Sequence, residues 1–322
     1  MIDVSVVIVT HNTLDLLIRC LTSILKKQHS VSHEIIVVDN GSSDNTYNLV
    51  LRDFPSIRII RNEVSYGFSH GVNTGIKACK GRNIYILEAD TELASEDPLA
   101  ALANFLDANS NVAAVGPQLR LVRNGKIQRS AFVTFPSLAT FFMEWSQLNV
   151  FLGWCFPSLG YPGKYYFTTR ELTNSRKVGW VMGGIMMVKS EIIERVGMMD
   201  EGFYLLAEDT DWCRRMKNHG YEIWYHTGAV VNHHWGVNLT NVKHTIDCYA
   251  FGMRRYIQKH HGPTFLVAFY LITALCSLCS IIFLSLVVPI AKSRREFFEG
   301  SRAFSLGWLT HLLRVKPRQA AR

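Results

Sequence analysis

The feature that most limits what this chain can fold into is the alternation of β-branched runs and helical patterns over residues 4–116. Residues 4–10 form a short β-branched run bounded by His11 and Asn12. Residues 14–27 then place apolar side chains at 14, 17, 18, 21, 24 and 25, which is helical spacing. Further strands are predicted at 34–39, 57–61, 83–87 and 112–116, and helices at 46–54, 70–80 and 98–109. Strands that alternate with helices across short turns make an α/β fold, a mainly parallel sheet flanked by helices. Ligands in such sheets bind beyond the carboxyl ends of the strands. That directs attention to residues 10–12, 39–44 and 88–90.

The pattern changes after residue 116. Residues 130–175 are rich in aromatics, Pro and Gly without a clean period, and read equally as a flap over the site or as a connecting segment. Order returns with a strand at 178–188, a helix at 190–196, a helix at 209–218, and strands near 223–225 and 229–232. Residues 264–291 are then 28 residues without a charge, more than the ~18 that mark a membrane segment. Beyond them Phe297, Phe304, Trp308, Leu309, Leu312 and Leu313 share one helical face, accompanied by Arg302, Arg314 and Lys316. This predicts an amphipathic helix at a membrane interface, or else a solvent-facing helix packed on the domain formed by residues 1–260. The expected organisation is an α/β domain over 1–260 and a membrane-associated part over 261–322.

Charge supports that division. The formal net charge of +8 is concentrated in residues 254–322, which hold eleven Lys and Arg against Glu296 and Glu299. Residues 1–253 carry 23 basic and 24 acidic residues, too balanced for a nucleic-acid binder. A basic tail around an apolar run points to an anionic membrane surface. The first residues have no basic stretch and only a short apolar run at 4–9, so the start of the chain is expected in the cytoplasm, with its thiols reduced. Cys276 and Cys279 form a CxxC inside the apolar run, without the βαβ context of a redox site.

Several side chains at the predicted loops can do chemistry. Asp39 ends a strand and opens Asn40-Gly41-Ser42-Ser43-Asp44, which alone reads first as a turn and second as a carboxylate for a ribose or polar ring. Glu88 and Asp90 follow a buried strand two residues apart and can offer oxygens to Mg2+ or Mn2+. Glu208, Asp209 and Asp211 stand at a helix start, where capping explains one or two acids and a general base explains a third. His233 and His234 follow the last strand, where an imidazole can complete a metal site opened by a carboxylate. Gly67, Gly71 and Gly75 recur every four residues; this is not the dinucleotide fingerprint, which disfavours a nicotinamide oxidoreductase. No P-loop, HExxH or GxSxG is present.

These pieces in this order resemble glycosyltransferase family 2, inverting enzymes of the GT-A fold, and within it the bacterial rhamnosyltransferase-like branch. The likeness rests on VSVVIVTHN at 4–12, IIVVDNGSSDNT at 35–46, the run 61–93 ending in ILEADTEL, and the run 178–236 containing WVMGG and LLAEDTDWCRR. It implies that Thr10, Asn12 and Asp39 contact the base and ribose, and that Asn40, Gly41, Ser42 and Asp44 shape that pocket. It implies that Gly67, Phe68 and Asn73 line the nucleotide-sugar cleft, and that Gly183 and Gly184 admit the donor sugar. Asp90, with Glu88 and His233, would hold a divalent cation, Mg2+ or Mn2+, on the diphosphate. Asp209, paired with Glu208, would be the base that deprotonates the acceptor. The chain departs from the family at His11, where Tyr is frequent, and at Glu88, where Asn or Asp is usual.

The expected activity is therefore transfer of a sugar, with rhamnose the branch-level guess, from a nucleotide diphosphate to a lipid-linked or polysaccharide acceptor. The QxxRW motif of processive synthases is absent, which predicts single additions. The alternative is a catalytically silent membrane scaffold or glycan-binding module on the same fold. The expected place is a bacterial inner membrane with the catalytic domain facing the cytoplasm. One span of 28 residues would put the basic tail outside, against the positive-inside rule, so a re-entrant or in-plane segment is favoured.

Overall fold

The computed structural model describes residues 2–146, 148, 164–234, 242–287 and 295–313. Packing divides the chain into two units, Met1–Phe135 with Tyr166–Asn238 and Pro136–Tyr165 with Leu239–Arg322.

In the first unit, β1 (Ile2–Thr10), β2 (His33–Asn40), β3 (Arg58–Asn62) and β4 (Gly81–Glu88) run parallel in the order β3-β2-β1-β4. The last seven residues of β1 are buried without alternation, as a central strand covered on both faces requires. The crossovers are α1 (Leu14–Leu25), α2 (Thr46–Asp53) and α3 (Phe68–Ile76). α1 turns Leu17, Cys20, Leu21 and Ile24 into the core. After β5 (Thr91–Leu93), α4 (Pro98–Ala108) starts at Asp97, whose carboxylate accepts the Ala100 N–H, and leads into β6 (Val112–Leu121).

The rest of the sheet is mixed. β10 (Ile185–Lys189) lies antiparallel between β4 and β6, and β11 (Glu222–His233) runs parallel to β6. Both β5 and β8 (Arg176–Val178) pair antiparallel with β11. β7 (Ala131–Phe132) and β9 (Trp180–Val181) form a separate two-stranded ladder. α6 (Ser190–Val196) and α7 (Glu208–Asn218) complete the unit.

Two differences from the sequence expectation position the site. The strand expected over 178–188 is three pieces, β8, β9 and β10, interrupted at Gly183 and Gly184. There two carboxylates press against the backbone, and a regular strand with side chains would not fit. The two strands expected at 223–225 and 229–232 are one, β11, with an irregularity between His226 and Val230. Its length carries His233 opposite Thr91 of β5, one residue past Asp90.

The aperiodic stretch 130–175 contains β7, α5 (Leu138–Trp145) and a 3-10 turn at Glu171–Thr173, while residues 149–163 lie outside the described part. α5 starts in a capping box: Thr140 N–H donates to Ser137 Oγ at 3.2 Å, and Ser137 N–H to Thr140 Oγ1 at 2.7 Å.

In the second unit α5 joins α8 (Val242–His260), α9 (Pro263–Val287) and α10 (Arg295–Leu313). α9 holds most of the apolar run, and residues 288–291 lie outside the described part. Its polarity is inverted. Thr273, Ser277 and Ser280 are buried with Phe269, Cys276 and Leu284, while Val267, Leu271, Leu275, Leu278, Ile282 and Phe283 are exposed. Thr273 donates to the Phe269 carbonyl one turn back and Ser280 to the Trp145 carbonyl of α5.

The aromatic face of α10, expected to lie on a membrane, turns inward instead. Trp308 is fully buried, 4.7 Å from the Trp145 ring and 5.8 Å from Phe269, and Phe304 lies 5.5 Å from Trp145. The side chains of Phe297 and Leu313, and residues Arg314 and Lys316, lie outside the described part.

Candidate active site

Three strand ends bring together the first cluster. Glu88 ends β4, Asp90 lies in the turn before β5, and His233 ends β11. One ligand atom from each falls within 4.8 Å of the others, the only such triplet among the described residues. His233 Nε2 stands 3.5 Å from Glu88 Oε2 and 3.4 Å from Asp90 Oδ1. Asp90 and His233 are buried, and Asp90 Oδ1 makes no hydrogen bond. A buried, undonated carboxylate oxygen beside an imidazole and a second carboxylate is the donor set a divalent cation needs. Without one, burial pulls the His233 imidazole down, but the Asp90 and Glu88 carboxylates beside it outweigh this and raise its pKa to about 9. His234 is not part of this cluster: its Nε2 pairs with Glu92 at 2.7 Å.

The second cluster faces the first across the interruption of the sheet. Asp209, in the first turn of α7, accepts the Gly183 N–H at 3.0 Å on Oδ2 and the Thr210 N–H at 2.6 Å on Oδ1. A Cβ on Gly183 would come 2.5 Å from Asp209 Cβ, and one on Gly184 would overlap the Glu88 carboxylate. Gly183 thus packs against Asp209 and Gly184 against Glu88, so two adjacent glycines lie between the two carboxylate clusters. Leu206 and Ala207, just before α7, both have positive φ, 70° and 74°, which costs energy in residues with a Cβ.

Burial raises the pKa of both Glu208 and Asp209, but unequally. Asp209 has donors from Gly183 and Thr210 that favour its charged form. Glu208 is buried with Oε2 unbonded and is further raised by the charge on Asp209, so it is pushed well above the usual range. Asp209 therefore ionises first, and Glu208 keeps its proton longer.

At the ends of β1 and β2, Thr10 and Asp39 are register partners, both buried. Asp39 Oδ1 accepts the Ser42 N–H at 2.9 Å, while Oδ2 is buried without a hydrogen bond, 3.8 Å from Arg61 Nε. Arg61, near the end of β3, lies over the Tyr47 ring at 5.5 Å beside them. Arg61 was findable, because it lies opposite Asp39 at a strand end.

The other expected pocket residues spend their polar atoms on the protein. Asn12 Oδ1 accepts from Ser43 N–H at 2.8 Å, and its own N–H donates to Ser42 Oγ at 3.0 Å. Asn40 donates to the Gly67 carbonyl at 3.0 Å and accepts from Asn62 at 2.9 Å. Asp44 accepts the Thr46 N–H at 3.1 Å at the start of α2. Asn73 donates to Met199 O at 2.8 Å and to Glu201 at 2.9 Å, and accepts the Met199 N–H at 3.1 Å. Phe68 donates its N–H to Tyr204 O at 2.8 Å. Gly41 and Gly67, at φ 78° and 97°, turn the chain where a Cβ would strike the backbones of Val64 and Tyr204.

Two solved structures share this arrangement of strands and helices. A mannosyltransferase from Pyrobaculum calidifontis in complex with GDP-Man and Mn2+ matches with a TM-score of 0.62 and 16% identity, over 98% of this chain and 90% of its own. GalNAc-T7 with UDP, GalNAc and Mn2+ matches with a TM-score of 0.58 and 18% identity, over 80% of this chain and 48% of its own. The fold is therefore that of the GT-A glycosyltransferases. Among curated proteins, the N-acetylglucosaminyl-diphospho-decaprenol L-rhamnosyltransferase of Mycobacterium tuberculosis is 28% identical over 245 residues, 71% of this chain and 75% of that protein. The profile of glycosyl transferase family 2 matches residues 5–197, and the chain belongs to that family.

Proposed function

We propose that this chain is an inverting glycosyltransferase that passes a sugar, with rhamnose the first candidate, from a nucleoside diphosphate to a lipid-linked acceptor. The observation that carries the reading is the placement of Asp209 and of the Glu88–Asp90–His233 cluster on either side of Gly183–Gly184. In such a reaction the acceptor oxygen bonds to the anomeric carbon on one face while the bond to the diphosphate breaks on the other. Asp209 takes the hydroxyl proton of the acceptor. A divalent cation, when bound by Asp90, Glu88 and His233, offsets the charge of the departing diphosphate. An imidazole among the donors favours Mn2+ over Mg2+.

Thr10, Asp39, Arg61 and Tyr47 would face the nucleoside, and Asp39 Oδ2, buried without a hydrogen-bond partner, would accept from the ribose or base. Asn12, Asn40, Gly41, Ser42, Asp44, Gly67, Phe68 and Asn73 form the frame that holds these residues. The lipid-linked acceptor is supported by the relative that acts on a decaprenol-linked substrate by name. The test is a donor panel of dTDP-, UDP- and GDP-sugars with Mn2+ and a polyprenyl-diphosphate-sugar acceptor. Transfer with the anomeric configuration inverted is expected. Retention, or donor binding without transfer to any acceptor, would overturn the reading.

The membrane part of the proposal rests on α9. Hydroxyls turned inward and leucines outward suit a helix whose surroundings are lipid. α9 has 25 residues, about 38 Å, enough to cross a bilayer. It packs along α10, however, and Arg302 near the middle of α10 is exposed. Crossing would carry that guanidinium into hydrocarbon at about 2.5–3.5 kcal/mol or more. We therefore place α9 in the plane of the cytoplasmic leaflet of a bacterial inner membrane, with Val267, Leu271, Leu275, Leu278 and Ile282 towards lipid and Arg254 and Lys259 near anionic headgroups. In flotation with vesicles containing anionic lipid, the wild-type chain is expected to rise with the lipid and Leu271→Glu/Leu275→Glu to stay behind. Equal flotation of both would contradict the lipid-facing stripe.

A further inference from the structure

Gln128 has no part in the roles assigned so far, yet it is buried behind the cation cluster. Its Oε1 lies 2.8 Å from His233 Nδ1. We propose that Gln128 is a positioning residue that fixes the tautomer and ring plane of His233 for binding a divalent cation. This rests on the reading of Glu88, Asp90 and His233 as a cation site.

The argument is one of donors and acceptors. A carboxamide oxygen can only accept, so Nδ1 of His233 must carry the hydrogen. In the neutral ring the lone pair then belongs to Nε2, the atom that faces Glu88 and Asp90. The other end of the amide agrees with this sense, because Gln128 Nε2 faces Met182 Sδ at 3.8 Å, a weak acceptor. A reversed amide would present N–H to Nδ1, move the ring hydrogen to Nε2 and block the ligating atom.

Gln128 is also held firmly. It lies on the returning arm of a hairpin that continues β6, where its N–H donates to Leu119 O at 2.9 Å and Arg120 bridges Ile127. Two residues on, the Ser130 carbonyl accepts the Met182 N–H at 3.0 Å, just ahead of Gly183. The hairpin thus ties the imidazole's support to the backbone that separates the two clusters. Partners of this kind, which orient a ligating histidine through its other nitrogen, are typically worth about 10–100-fold in metal affinity.

The test titrates the full-length protein with Mn2+ alone, followed by electron paramagnetic resonance, without donor or acceptor. His233→Ala is the reference for a lost ligand. Gln128→Leu, close in volume but without an acceptor, is expected to weaken Mn2+ about 10–100-fold. Gln128→Glu keeps an oxygen on Nδ1 and is expected to bind within a few-fold of wild type. At saturating Mn2+ the donor KM of Gln128→Leu should return to the wild-type value. Metal-free melting temperatures of the three variants establish that each is folded. Wild-type affinity in Gln128→Leu alongside weak binding in His233→Ala would overturn the inference. Equal weakening in the Leu and Glu variants would overturn it too, by reducing Gln128 to packing. Undiminished Mn2+ binding in His233→Ala would remove the cation reading itself, and the inference with it.

Discussion

Asp209→Asn is expected to lower kcat for sugar transfer by about 10²–10⁴, the usual contribution of a positioned base, with donor KM within a few-fold of wild type. The amide keeps the shape of the carboxylate and its oxygen can still accept the Gly183 N–H, but its NH2 then faces the Thr210 N–H that Oδ1 accepts in the wild type, so the melting temperature is measured beside the rate. What it loses is the ability to take a proton. Glu208→Gln makes the informative comparison. Glu208 is the member of the pair whose pKa burial and the Asp209 charge push further up, so the amide copies the neutral form its surroundings favour and most activity should survive. The pH profile carries the same distinction. Burial raises the Asp209 pKa, and a base works only when deprotonated, so kcat/KM should fall on the acid side at a pH above the ~3.9 of an ordinary aspartate. Asp209→Asn should abolish that limb and Glu208→Gln should keep it. Near-normal transfer by Asp209→Asn, or equal losses in the two variants, would refute the assignment of the base.

How much of this was legible depended on where in the fold each residue lies. Strand ends are readable, because a β-branched run followed by an acid puts the acid at a sheet edge. That is how Asp39, Asp90 and His233 could be singled out, and Arg61 obeys the same rule. What a polar side chain does there was not readable. Asn40 and Asn73 stand where ligand contacts are expected, but their amides are saturated by Gly67, Asn62, Met199 and Glu201. Saturation is a property of loops meeting across long sequence separations, which no local pattern encodes. Gln128 was invisible for the same reason: 105 residues separate it from His233, and a hairpin folding back on the end of β6 delivers it. The apolar run gave its length but not its polarity. Only packing shows that Thr273 and Ser280 turn inward, and that the aromatic face of α10 is already used by Trp145.

Gly183→Ala and Gly184→Ala remove no functional group, yet each is expected to reduce transfer by an amount approaching that of losing the carboxylate beside it. The reason is steric. At Gly183 the added methyl meets Asp209 Cβ at 2.5 Å and Cα at 3.3 Å, so α7 itself must shift, because neither atom is the free end of a side chain. The Gly183 N–H that orients Asp209 moves with it. Such overpacking typically costs about 1–3 kcal/mol of stability, and a displaced base can cost about 100-fold in rate. Gly184→Ala should behave differently. Its methyl would overlap the carboxylate of Glu88, a side chain one-third exposed that can swing into solvent. Stability should then hardly change, while the cation cluster opens. The two variants therefore separate the clusters by their symptoms. Gly184→Ala should be partly rescued by raising Mn2+, whereas Gly183→Ala should lose kcat at any Mn2+ concentration and melt at a lower temperature. If both variants turned over normally, the glycines would be tolerating space that the two carboxylates do not need, and the opposed-cluster arrangement would not be the working form of the site.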